Sequence, residues 1–161
     1  MTKQEIIQGD CLIEMRNIPD KSIDMILCDL PYGTTACKWD TIIPFEPLWE
    51  QYKRIIKDNG AIVLTSSEPF SSILRCSNLK MFKYDWVWNK KLAGNGILAK
   101  HQPLKIHELI SIFSVDKHNY YPIKTIGKLR KKMFSGIIQP ETLNKVSTCK
   151  ETFNNEYYPV S

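Results

Sequence analysis

Asp29-Leu30-Pro31-Tyr32, closed by Gly33, brings a carboxylate, a stiff stretch of backbone, an aromatic ring and a flexible corner into consecutive positions. Those residue types suit one kind of chemistry. An exocyclic amine of adenine or cytosine is a weak nucleophile, because its lone pair is delocalised into the ring. A carboxylate such as Asp29 accepts one of its hydrogens and a backbone carbonyl at Leu30 or Pro31 accepts the other. The nitrogen is drawn toward tetrahedral geometry, and its lone pair is freed to attack a methyl group. Pro31 fixes its own φ and biases Leu30 toward extended backbone, so the carbonyls stay aimed. Tyr32 supplies a flat face. A base taken out of a duplex loses its stacking at a cost on the order of a few kcal/mol, and an aromatic side chain restores part of it. The same residues also suit an ordinary turn, with proline setting φ and glycine permitting a positive one, so the surrounding elements must decide.

The run Asp24-Met25-Ile26-Leu27-Cys28 that leads into the motif is apolar without alternation, which suits a parallel strand buried on both faces. Asp29 then stands at the carboxyl end of that strand, where ligands bind in open α/β sheets. Strands are predicted over residues 5–8, 23–28, 61–66, 84–88 and 109–113. A short helix over 12–16 follows Asp10, which can cap it. The clearest helix covers 45–57, with Leu48, Tyr52, Ile55 and Ile56 on one face and Asp58-Asn59-Gly60 as its stop. A third runs from near Pro69 toward Ser77. This alternation predicts an α/β class and a partial Rossmann-like arrangement, a mainly parallel sheet of about five strands with flanking helices. Residues 1–116 form the predicted core, and 117–161 a loop-rich basic region.

A chain of 161 residues with 43% apolar content can bury one core and requires no second domain. Its net charge of +5 permits nucleic-acid binding without requiring it. The basic residues cluster at Lys90-Lys91, from Lys100 to Lys105, and at Lys128-Leu129-Arg130-Lys131-Lys132. No apolar run reaches the length of a membrane span, and Met1-Thr2-Lys3-Gln4-Glu5 has no signal-peptide pattern, so a cytoplasmic protein without a membrane partner is expected. Cys11, Cys28, Cys37, Cys76 and Cys149 are odd in number and show no C-x-x-C spacing. Neither a metal site nor a disulfide framework is expected.

Further landmarks surround the motif in a definite order. Gly9-Asp10-Cys11 and Ile18-Pro19-Asp20-Lys21-Ser22-Ile23-Asp24 precede it. Cys37-Lys38-Trp39-Asp40, Gly60-Ala61-Ile62-Val63-Leu64, Glu68-Pro69-Phe70, Asp85-Trp86-Val87-Trp88-Asn89-Lys90 and His107-Glu108 follow. With these, residues 6–122 resemble the amino-terminal part of the β-class DNA amino-methyltransferases, especially the phage and restriction-system adenine-N6 enzymes. That family usually has proline where this chain has Leu30, whose backbone carbonyl serves equally.

The resemblance implies transfer of a methyl group from S-adenosylmethionine to adenine N6 in DNA. It assigns Asp29, Leu30, Pro31 and Tyr32 to catalysis, and Asp10 and Asp29 to the cofactor; helix capping is the other role open to Asp10. DNA contacts fall on Trp39, Lys90, Lys91, Lys105, Lys128, Arg130, Lys131 and Lys132, the last four lying where the family carries its target-recognition region. His107 and Glu108 read as structural, because methyl transfer to an amine needs no strong base.

The family completes its cofactor pocket with a carboxyl-terminal segment containing a Lys-Pro pair and a Phe-x-Gly-x-Gly loop, and this sequence has no counterpart. Gly94-Asn95-Gly96 sits in a predicted loop. The expectation is an amino-terminal part whose motif strand has an open edge, covered by self-association, by a second polypeptide, or by the strand at Ile6. A second function class stays open: a catalytically inactive truncated methyltransferase reused to bind DNA, or to inhibit a nuclease or defence complex in a bacterial or phage-infected cell.

Overall fold

The computed structural model describes residues 4–94, 96–123, 125–126 and 156–157. The chain divides into a unit over Met1–Asn119 and a unit over Tyr120–Ser161. In the first, α1 (Cys11–Glu14) begins at Asp10, whose Oδ1 accepts the Leu12 N–H at 2.8 Å. β1 (Ile23–Asp29), α2 (Phe45–Ile55), β2 (Ile56–Ser66), α3 (Phe70–Ser77), β3 (Phe82–Asn89) and β4 (His107–Phe113) follow. The strands form one sheet in the order β1-β2-β4-β3. In the second unit, β5 (Thr125–Ile126) pairs antiparallel with β6 (Glu156–Tyr157). No helix among the described residues is long and apolar enough to cross a membrane.

α2 buries Leu48, Trp49, Tyr52 and Ile55, a stripe at helical spacing. It ends earlier than the sequence suggests. At Ile56 the backbone has already turned extended, with ψ of 140°, and the adjacent β-branched Ile55 and Ile56 favour that change. Asp58-Asn59-Gly60 is therefore not a helix stop but part of β2, where the ladder to β1 slips between Ile23 and Met25. Gly60 packs so closely there that a Cβ would stand 2.8 Å from the Asp24 carbonyl oxygen.

The α/β class holds, but the sheet is mixed rather than mainly parallel. β1 and β2 are parallel, while β4 runs antiparallel to both β2 and β3. The reason lies in residues 90–106, which leave β3 and enter β4 at the same end of the sheet, with only a 3-10 turn at Gly96–Lys100 between them. A parallel neighbour needs a crossover to the other end. Among the described residues the sheet has four strands rather than five. Residues 5–8 form no strand, and β1 pairs with β2 alone among the described residues, so the expected pairing of the Ile6 segment with the motif strand is not made. Ile6 and Ile7 are instead 97% and 56% exposed, so their side chains gain little burial to offset the ordering of a strand.

One sheet face is covered. Ile62, Leu64 and Phe113 are fully buried beneath α2 and α3, with the Trp49 and Phe113 rings 4.8 Å apart. Each such side chain contributes about 1.5–3 kcal/mol of burial. On the opposite face Met25 and Leu27 of β1 are 56% and 65% exposed. The expectation that β1 is buried on both faces is thus corrected: it is an edge strand, and no described element lies over Met25 and Leu27.

Candidate active site

Topology brings the chemistry to one end of the sheet. β1 and β2 are parallel, so Asp29 and Thr65 stand side by side at their carboxyl ends. Because β4 runs the other way, its first residues, His107 and Glu108, arrive at the same end, opposite Asn89 and Trp88 of β3. Just beyond the strands lies a cavity of about 620 Å³, lined by Tyr32, Glu68, Lys90, Lys105, His107 and Glu108 among others. That volume falls within the range of small-molecule pockets.

Tyr32 is the member of the motif that lines this cavity. Its hydroxyl donates to Asp29 Oδ1 at 2.7 Å and lies 3.2 Å from Thr65 Oγ1, and its ring stacks on Phe70 with centroids 5.0 Å apart. The Thr65 hydroxyl donates to the same Asp29 oxygen. Asp29 is exposed, and its Oδ2 has no hydrogen-bond partner among the described residues. The carboxylate is thus held through one oxygen while the other remains available as an acceptor. Partial burial, and then the neighbouring Asp29 carboxylate, raise the Tyr32 pKa, so the phenol stays a proton donor. Leu30 is 5% exposed and belongs to the core, which leaves only its backbone to act.

The wall of the cavity is cross-braced by charge. Lys90 Nζ pairs with Glu108 at 2.6 Å and lies 5.7 Å from the Trp88 ring centre. Lys105 Nζ donates to Ser67 Oγ at 2.5 Å. Arg75 joins Glu68 and Asp85, each at 2.7 Å, and the Ser111 hydroxyl donates to Asp85 at 2.6 Å, tying α3 to β3 and β4. The hydroxyls of Ser71 and Ser72 and the Arg75 guanidinium hold Glu68 down at a pKa of about 2. Of these, Ser72 and Arg75 make well-formed bonds to Glu68, whereas Ser71 Oγ has no partner at bonding geometry, so the first two carry the effect.

After the motif, the Asp40 carboxylate accepts hydrogen bonds from the backbone N–H groups of Gly33, Thr34 and Thr35 at 2.8, 2.9 and 2.7 Å. Trp39 beside it is 74% exposed. Of the other residues singled out from sequence, Asp10 caps α1 away from the cavity lining, and Lys91 is exposed with φ of 63°. Lys128, Arg130, Lys131 and Lys132 lie outside the described residues. Thr65, Phe70, Ser67 and Glu68 were not recognised from sequence as parts of the site, and His107 and Glu108, read as structural, line the cavity. A second cavity of about 500 Å³, at Leu12, Arg16 and Arg54, lies toward the amino end of β2, away from this chemistry.

A carboxylate and an aromatic ring thus stand at a strand tip, the ring lining a ligand-sized cavity, and by sequence the chain is similar to DNA methyltransferases. The DNA adenine methyltransferase YhdJ of Escherichia coli (strain K12) is 31% identical over 126 residues, which cover 71% of this chain and 42% of that protein. The type II methyltransferase M.HinfI of Haemophilus influenzae is 28% identical over 113 residues, covering 53% of this chain and 31% of that protein. The chain therefore spans less than half the length of these relatives. Among solved structures, the M1.HpyAVI–SAM complex aligns over 80% of this chain and 60% of that chain, with a TM-score of 0.49 and 14% identity. No protein-family model matches.

Proposed function

We propose that this chain is the nucleobase-handling part of a DNA adenine-N6 methyltransferase. The observation that carries the proposal is the bond from Tyr32, which lines the cavity, to Asp29 just behind it, with Asp29 Oδ2 left without a partner among the described residues. An adenine turned out of the helix lays its ring against Tyr32, donates one amine hydrogen to Asp29 Oδ2 and the other to a backbone carbonyl at Leu30 or Pro31. Lys90 and Lys105, which line the cavity, and the exposed Trp39 and Lys91 supply phosphate contacts and stacking, and the basic stretch of Lys128, Arg130, Lys131 and Lys132 adds electrostatic grip. The reaction takes place where DNA is held, in the cytoplasm of a bacterial or phage-infected cell.

The methyl donor of this reading is S-adenosylmethionine, which supplies an electrophilic methyl group. Asp10 and Asp29 are the residues offered to it, Asp10 through its uncommitted Oδ2 and Asp29 by standing at the strand end where base and donor must meet. Neither borders a described cavity, and no described glycine-rich turn faces them, so the described residues do not enclose the cofactor by themselves. The open edge of β1, flanked by Met25 and Leu27, favours completion by another segment, a second polypeptide or a second copy that adds a strand there.

The test is binding to a duplex carrying one unpaired, extrahelical adenine compared with a fully paired duplex of the same length. Preference for the first, lost in Asp29→Ala, supports the proposal; equal binding overturns it. The second reading, an inactive methyltransferase reused to bind DNA or to block a nuclease, draws on the same uncovered β1 edge. Calorimetry with S-adenosylmethionine separates the two, since micromolar binding favours the enzyme, and DNA or protein binding without it favours reuse.

A further inference from the structure

Asp40 is buried, at 9% exposure, yet it makes no ion pair among the described residues. Its carboxylate is committed to backbone instead. Oδ1 accepts from Gly33 N–H, and Oδ2 accepts from both Thr34 and Thr35 N–H. Gly33 has φ of 68°, which turns these successive N–H groups inward to form a concavity suited to an anion. The Asp40 N–H in turn bonds the Cys37 carbonyl at 3.0 Å, closing the loop on itself. A neutral amide cannot replace the carboxylate fully, because its NH₂ group would face one or more of the converging donors.

We infer that Asp40 is a positioning residue for the nucleobase cup: by clamping the backbone of residues 33–35 it fixes the direction in which the chain leaves Tyr32, and it holds the neighbouring Trp39 out toward solvent. Gly33 follows Tyr32 directly, so a shift of the clamped backbone is transmitted to the ring that receives the base. A small misplacement of a binding group weakens a complex strongly, because productive geometry has narrow limits. This inference rests on the nucleobase reading given above.

The test compares wild type, Asp40→Ala and Asp40→Asn in binding two probes: a duplex with 2-aminopurine held extrahelical, and the same duplex fully paired. For Asp40→Ala, affinity for the extrahelical probe is expected to fall about tenfold or more. Binding to the paired duplex, which rests on phosphate contacts, should change by less than about twofold. Excess formate, small enough to occupy the vacated nest, should restore most of the lost preference in Asp40→Ala and leave wild type unaffected. A side chain that only supports the fold would, when removed, weaken binding of both probes alike. Asp40→Asn, which keeps one acceptor oxygen, should lose part of the preference, and it carries the test if Asp40→Ala fails to fold. Variants that prefer the extrahelical probe as strongly as wild type does, or an Asp40→Ala that formate does not restore, overturn the positioning role. A wild type that shows no preference overturns the nucleobase reading and this inference with it.

Discussion

Replacing Tyr32 in two steps separates the work of its hydroxyl from that of its ring. In Tyr32→Phe the stack on Phe70, at 5.0 Å, is retained and only the bond to Asp29 is lost. Hydrogen bonds to charged groups contribute about 1.5–3 kcal/mol, but Asp29 is exposed and keeps the Thr65 hydroxyl, so the lower end or less applies, about 1 kcal/mol. That corresponds to roughly fivefold in affinity for an extrahelical base. In Tyr32→Ala the ring is gone as well, and base stacking on an aromatic contributes a further 1–3 kcal/mol or so. The combined loss is about 2–4 kcal/mol, or roughly 30-fold and above. Fluorescence titration with a 2-aminopurine duplex measures both variants, and unchanged circular dichroism shows that the fold is kept. Equal losses in the two variants would place the function in the hydroxyl and refute the stacking role. An alanine variant within about twofold of wild type would refute any role for Tyr32 in base binding.

Arg75→Ala should lower stability, because it leaves Asp85 and Glu68 without their cation; the Arg75 and Asp85 side chains are only 23% and 20% exposed. Intermediate burial places the loss near 2 kcal/mol, between an exposed and a buried pair, and the melting temperature should fall by roughly 4–8 °C. A loss under about 0.5 kcal/mol in urea unfolding would show that the network does not brace the sheet. Glu68 and Asp40 both have pKa values held down to about 2, Asp40 by the Thr35 side chain and by the N–H groups of Gly33, Thr35 and Thr34, of which only the N–H groups make well-formed bonds and so carry the effect. Their stabilising contribution is present in full above the unfolded carboxylate range near pH 4 and is lost as pH falls through about 2. Stability measured from pH 6 to pH 2 should decline more steeply in wild type than in the combined Glu68→Gln and Asp40→Asn variant; identical slopes would rule the two groups out. Leu27→Lys places a charge on the exposed face beside the open edge and should abolish self-association, or partner capture, in sedimentation measurements, whereas unchanged association would move the interface elsewhere.

Much of the site's frame is legible in the residues themselves. The apolar run before Asp29 marks a strand, and Pro31 and Gly33 mark its turn. The spacing of Leu48, Tyr52 and Ile55 gives the buried face of α2. What sequence does not carry is strand partnership. Thr65 reaches Asp29 only because β2 lies parallel to β1 in that register, and Phe70 reaches Tyr32 only because α3 begins just beyond the end of β2. The reversal of β4 depends on the path of residues 90–106, whose composition does not specify direction. Exposure of Met25 and Leu27 was equally hidden, since an edge strand that lacks a covering layer has the same apolar composition as a buried one. Asp40 stands within the landmark Cys37-Lys38-Trp39-Asp40, but three backbone donors leave no mark on residue type.

The most direct measurement is photocrosslinking of a duplex whose extrahelical position carries 5-iodouracil, followed by mass spectrometry of the peptides. Stacking of the extruded base on Tyr32 predicts an adduct at that ring, absent from Tyr32→Ala and suppressed by competing extrahelical adenine. Duplex bound to the protein with adducts only at other residues would contradict the account.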